Sequence, residues 1–191
     1  MYLKNLKEVM LQYLKNLVQL VLAPAKGWED VSASLATPER LLRDAFFPLL
    51  GVSALSEFIR LFYHNSGGFL TVFELAIALF GSYFVSFFIA RIILSNYIGG
   101  FIDGEVNQTK ISTFIIYGLG LLLMIEIIEN LLPTDLTLVK FLPLFVALIL
   151  YRSTAYLAVK PGTELRFLCL AVIAVIVVPI AIFSLLELII S

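Results

Sequence analysis

Charge is what this chain has least of. Only 14% of its 191 residues are Asp, Glu, Lys or Arg, against about 25% in an ordinary soluble domain. With 61% hydrophobic residues and a mean hydropathy of +1.01, it cannot coat a water-soluble globule, and it is too apolar to be disordered. Cysteine is nearly absent too. The single Cys169 excludes an internal disulfide and any multi-cysteine metal site. The single histidine, His64, falls in a predicted loop and reads as solvated. Thirteen basic against fourteen acidic residues leave a net charge of -1, so no nucleic-acid partner is expected.

The motifs of soluble enzymes are also missing. There is no HExxH, GxSxG, CxxC or Walker loop. Asp103, Glu105 and Asn107 resemble the start of a calcium loop. Gln108 stands where that loop needs glycine, however, and Phe114 where it needs its last carboxylate. Neither metal nor cofactor is expected, and the chain reads as non-enzymatic. Glu126 and Glu129 are spaced to serve as acid and base, but no nucleophile accompanies them.

What is present is long apolar helix. The reading is all-α: five transmembrane helices at about 41–63, 69–94, 111–132, 138–159 and 166–190, preceded by an amphipathic interfacial helix. Residues 1–36 form a cytoplasmic N-terminal segment, and residues 37–191 a single transmembrane domain. Thr37 before Pro38 predicts an N-cap. His64–Gly68 and Pro133–Asp135 predict turns. Pro161-Gly162 stops the fourth helix and Thr163 is placed to cap the fifth. Pro48, Pro143 and Pro179 predict kinks.

In the first 23 residues, Leu3, Leu6, Met10, Tyr13, Leu17 and Val21 make an apolar stripe. Lys4, Glu8, Gln12, Lys15 and Gln19 lie opposite. The expected partner of this helix is the lipid bilayer, anionic lipid in particular. Ala23-Pro24-Ala25 faintly resembles a signal cleavage site, but Lys15 and Gln19 interrupt the apolar stretch that a signal peptide needs. Trp28 suits an interfacial anchor.

A cytoplasmic N-terminus collects eleven Lys and Arg on its side, leaving only Arg60 and Lys140 on the other. The positive-inside rule then sets the orientation, with Ser191 outside. The opposite half carries Glu57, Glu74, Glu126, Glu129, Asp135 and Glu187. Ionisable residues within spans are functional candidates, so Glu57, Arg60, Glu74, Glu126, Glu129, Lys140 and Glu187 mark a candidate polar or ion path. Equally, they sit near helix ends, where Glu57 with Arg60, three residues apart, and Lys140 with its neighbours pair for structure. Ala78, Ser82, Ser86 and Ala90 recur every fourth residue. They read as a helix-packing face, inside the bundle or between protomers of a homo-oligomer or with another membrane protein.

Several stretches resemble the Yip family of Ypt/Rab-interacting membrane proteins, and its bacterial members more closely. Leu22 to Val31, with Pro24 and Trp28, resembles the family's lead-in to its first span. Asp44, Phe46 and Pro48 match positions of its aspartate-leucine-tyrosine-glycine-proline motif, while Ala45 and Phe47 depart from it. Lys110 to Phe114, opening the third span after a glycine-containing loop, also fits. The resemblance implies five spans, a cytoplasmic N-terminus and a trafficking-type or membrane-organising role. The short N-terminal region implies a bacterial cytoplasmic-membrane protein without Rab partners. The leading expectation is thus a membrane-organising or scaffolding protein. The alternative is a small transporter or channel for a cation, a proton-coupled solute or a lipid, using the outer-half carboxylates.

Overall fold

The computed structural model describes residues 2–34, 36–63, 68–132 and 139–190, and leaves out the side chains of residues 2–5 and of Lys140. The predicted turns at His64–Gly67 and Pro133–Asp135 lie outside the described residues, as do the side chains of Leu3 and Lys4. The described chain is all-helical, at 87% helix with no strands.

Two helices come first, α1 (Tyr2–Leu22) and α2 (Pro24–Ala33). Four helices long and apolar enough to cross a membrane follow: α3 (Pro38–Tyr63), α4 (Phe69–Gly100), α5 (Gln108–Leu131) and, at the end, α7 (Glu164–Ile190). Between the last two lies the shorter apolar helix α6 (Leu142–Thr154).

That short helix stands where the sequence predicts a span over 138–159. At about 1.5 Å per residue its 13 residues reach only about 20 Å, against a hydrocarbon core about 30 Å thick. Pro143 sits in its first turn, where a missing N–H costs nothing, so this proline opens a helix rather than kinking one. At the other end the chain tightens to a 3-10 turn over Arg152–Thr154 and then leaves the helix. Ala158 adopts a left-handed φ of 54°, and Val159 bridges Ile102. Asp103 N donates to Ala158 O and Lys160 N donates to Phe101 O, both at 2.8 Å. Apolar composition runs on to Val159, but these bonds to the loop between α4 and α5 end the helix first.

The caps are partly as the sequence predicts. Thr37 Oγ1 accepts from Arg40 N at 3.4 Å, with Pro38 in the first turn of α3. Thr163 occupies the N-cap position of α7, but its side chain makes no capping bond. Its hydroxyl donates instead to Lys160 O at 2.9 Å and Phe101 O at 3.3 Å, tying the same two loops together. Pro48 and Pro179 each follow a π turn, Leu42–Phe46 and Ile173–Val177. In each, the residue before proline reaches back five positions, Phe47 N to Leu42 O and Val178 N to Ile173 O. A wide turn thus absorbs the bond that proline removes.

The centre of the molecule is α5. Its apolar window is 72% buried, while those of α3, α4 and α7 are 28–44% buried. Gly118 and Gly120 make this possible. A Cβ at Gly118 would lie 2.7 Å from Val175 Cγ1 of α7, and one at Gly120 would overlap the Tyr13 hydroxyl of α1.

The first helix therefore packs on protein. Tyr13 Oη donates to Ile116 O at 2.8 Å and Asn16 Nδ2 donates to Tyr117 Oη at 2.9 Å. Ile116 and Gly120 stand eight and twelve residues into α5, roughly 12 to 18 Å along it. The buried stripe of α1 is Tyr13, Asn16, Leu17 and Leu20, whereas Val21 of the predicted stripe is exposed. The chain then turns at Ala23, and α2 folds back on α1. Gly27 permits the close approach, because a Cβ there would lie 2.8 Å from Leu20 Cα.

Candidate functional site

Three ionisable residues of the spans, Glu57, Arg60 and Glu126, come together at α5. Glu57, at the far end of α3, is only 2% exposed. Both its oxygens are held: Asn130 Nδ2 donates to Oε1 at 2.9 Å, and Arg60 Nη1 to Oε2 at 3.2 Å. Asn130 Nδ2 also donates to Ser56 Oγ at 2.9 Å, and Ser56 Oγ donates to Ser53 O at 2.6 Å. One amide on α5 thus fastens two side chains of α3. One helical turn earlier on α5, Glu126 Oε1 accepts from Tyr83 Oη of α4 at 3.1 Å. Glu126 also lies within electrostatic reach of Glu129, Glu57 and Arg60.

The predicted pair Glu57–Arg60 is present. The two residues that complete the cluster, Asn130 and Tyr83, were not singled out from the sequence. The signal for Asn130 was its spacing: it follows Glu126 by four residues, on the same face of the same helix. Tyr83 carries no such mark, since aromatic residues fill α4.

Glu74 and Glu187 stay outside this cluster. Glu74 is half-buried on α4 and Glu187 exposed on α7. The side chain of Lys140 lies outside the described residues. Ala78, Ser82, Ser86 and Ala90 are all buried within the single chain. Ser82 and Ser86 hydroxyls donate back along α4, to Leu79 O at 2.8 Å and Ser82 O at 2.6 Å.

The residues of the family-like motif have structural places. Phe46 is buried, Pro48 exposed. Asp44 is buried beneath two arginines: Arg43 Nε and Nη2 donate to it at 2.7 and 3.1 Å, and Arg40 Nε forms an ion pair with it at 3.6 Å. Trp28 is not an interfacial anchor. It is 2% exposed, stacked between Phe114 and Tyr156 at 5.5 and 5.2 Å, and its Nε1–H donates to Ile149 O at 2.9 Å. The ring is enclosed because α2 carries it to the end of the bundle where α5 begins and α6 stops.

Four cavities can be described. Two polar crevices flank α1, of about 330 and 440 Å³, the larger between α1 and α2 around Lys15, Gln19 and Asp30. Two apolar clefts lie beside it, one of about 260 Å³ against α3 and one of about 180 Å³ among Val21, α5 and α6. Glu57, Glu126 and Glu129 line none of these four. Among the described residues no group of His, Cys, Asp and Glu is placed to hold a metal. Comparison with family models, curated proteins and solved structures returns no match.

Proposed function

We propose that this chain is a non-enzymatic, polytopic membrane protein that organises the bilayer or assembles other membrane proteins around it. The observation that carries the reading is the state of Glu57. A carboxylate that passes cargo must exchange its partners, and Glu57 has both oxygens taken by donors of the protein. A buried, fully bonded polar group between helices acts as a tie.

The topology proposed is five crossings with a cytoplasmic N-terminus, the short fourth being α6 together with the 3-10 turn Val139–Phe141 that leads into it. The bonds between residues 101–103 and 158–160 support it, since they put the start of α5 and the end of α6 at one end of the bundle. The N-terminal helices supply the surface for partners or lipid, with Leu11, Val18 and Leu22 exposed on α1. The Yip resemblance contributes the expected topology and the bacterial cytoplasmic membrane as location.

A second reading, a small transporter for a cation, a proton-coupled solute or a lipid, is favoured by the convergence of Glu57, Glu126 and Tyr83 from three spans. One assay separates the two. Purified chain in proteoliposomes is tested for proton, sodium and potassium flux, with Glu126→Gln as control. Scaffolding predicts no flux above empty vesicles for either chain. Flux in the wild type that Glu126→Gln abolishes would replace it with transport.

A further inference from the structure

The cleft of about 260 Å³ between α1 and α3 joins an apolar wall to two charged residues, Lys7 and Asp44. Leu6, Met10, Leu11 and Leu14 form one side and Pro48 the other. Leu6 and Met10 prolong toward the N-terminus the stripe that buries Tyr13 and Leu17 on α5, and Leu14 and Leu11 stand beside it. Lys7 lines the cleft too. The cleft's one acid, Asp44, is already clamped by Arg43 and Arg40, and the Arg43 side chain remains 64% exposed. Glu8 faces the crevice on the other flank of α1. With Asp44 held in ion pairs, Lys7 is the cationic group that lines the cleft.

Position along α3 sharpens the point. Arg40, Arg43 and Asp44 lie within the first two turns of the helix, about 9 Å from its start. Beyond them Pro48, Val52 and Leu55 continue as one exposed apolar stripe at helical spacing. In a spanning helix such a stripe meets acyl chains. The cleft prolongs it toward the charged end. An occupant that matches both parts is apolar along its length and anionic at one tip.

We propose that this cleft holds one anionic glycerophospholipid, with an acyl chain between α1 and Pro48 and its phosphate at Lys7. This site rests on the reading of the chain as a membrane protein whose α1 meets lipid.

The test uses the full chain, purified and exchanged against equimolar phosphatidylglycerol and phosphatidylcholine with identical tails, then read by native mass spectrometry. One phosphatidylglycerol per chain is expected to be retained over phosphatidylcholine. Lys7→Gln should weaken that retention about fivefold, the worth of one lysine near an anionic surface. Lys26→Gln, an exposed lysine that does not line the cleft, should leave it unchanged. Leu14→Trp, filling the cleft, should abolish it.

Should Leu14→Trp not fold, Leu11→Trp serves as a reporter, at a position 65% exposed. Its emission, above that of Trp28, should be quenched more by tail-brominated phosphatidylglycerol than by tail-brominated phosphatidylcholine. Equal retention of the two lipids, an equal loss in Lys7→Gln and Lys26→Gln, equal quenching, or a dimer mass in place of bound lipid would each overturn the site. A chain that does not insert into vesicles at all fails the underlying membrane reading. One that inserts and does not distinguish the lipids fails this proposal alone.

Discussion

At the scale of single residues, Asn130 has the largest consequence for its size. Its one amide group satisfies Ser56 and a carboxylate oxygen of Glu57, both buried. Asn130→Leu keeps the volume and removes the donor, leaving Glu57 with Arg60 alone. A lost hydrogen bond to a buried charged group costs about 1.5–3 kcal/mol. A lower thermal midpoint in detergent is expected, while Glu57→Gln combined with Asn130→Leu should recover part of the loss because no buried charge remains. Non-additivity in that cycle would be the direct measure of the tie. The sequence made half of this cluster legible. Spacing of three joins Glu57 to Arg60 on one helix, but no local pattern joins residue 57 to residue 130. Trp28 shows the same limit: a lone tryptophan before a span reads as an interfacial anchor, and only the distant rings of Phe114 and Tyr156 reveal a socket for it.

At the scale of elements, α1 is part of the core. Tyr13 and Leu17 fill the groove left by Gly120, and with Asn16 they cover Ile116 and Tyr117 at the centre of α5. Deleting residues 1–23 is therefore expected to do more than weaken lipid binding. It uncovers buried apolar surface of the central helix, so the truncated chain should aggregate in detergent or melt well below the full chain. A truncated chain that stays monodisperse with an unchanged midpoint would show that these contacts contribute little. The long spans were legible because composition alone makes a 24- to 32-residue apolar helix. The short α6 was not, because hydropathy continues through Val159 while the backbone is diverted at Ala158 by bonds to the 101–103 loop. The side of α1 that is buried was not legible either. An amphipathic stripe specifies an apolar neighbour, and both a bilayer and a neighbouring helix satisfy that specification.

For the whole molecule, the bonded loops at 101–103 and 158–163 fix which ends of the helices lie together. The proposed five-crossing topology puts both loops on the cytoplasmic side, and the residues near Phe69 on the other. In a Cys169→Ser background, Asp103→Cys and Gly162→Cys are expected to react with a membrane-impermeant maleimide only from the cytoplasmic face, and Phe69→Cys only from outside. Labelling of Asp103→Cys and Gly162→Cys from opposite faces would break the proposed topology. Labelling of both only from outside would invert it. The proposed orientation rests on eleven basic residues against two, a count read directly from the chain.

The N-terminal helices and the partners that enclose them are made at very different times. Tyr13 waits for Ile116, Asn16 for Tyr117 and Trp28 for Ile149, separations of 103, 101 and 121 residues. At a synthesis rate of about 5–20 residues per second, that interval is roughly 5 to 25 seconds. Throughout it, the tyrosine, leucines and tryptophan that end in the core lack the surfaces of α5 and α6 that enclose them. The membrane surface beside the ribosome is the apolar neighbour then available. The stripe that reads as an interfacial helix is thus expected to rest on that surface while the chain is being made, and to be taken up by the finished molecule when α5 arrives.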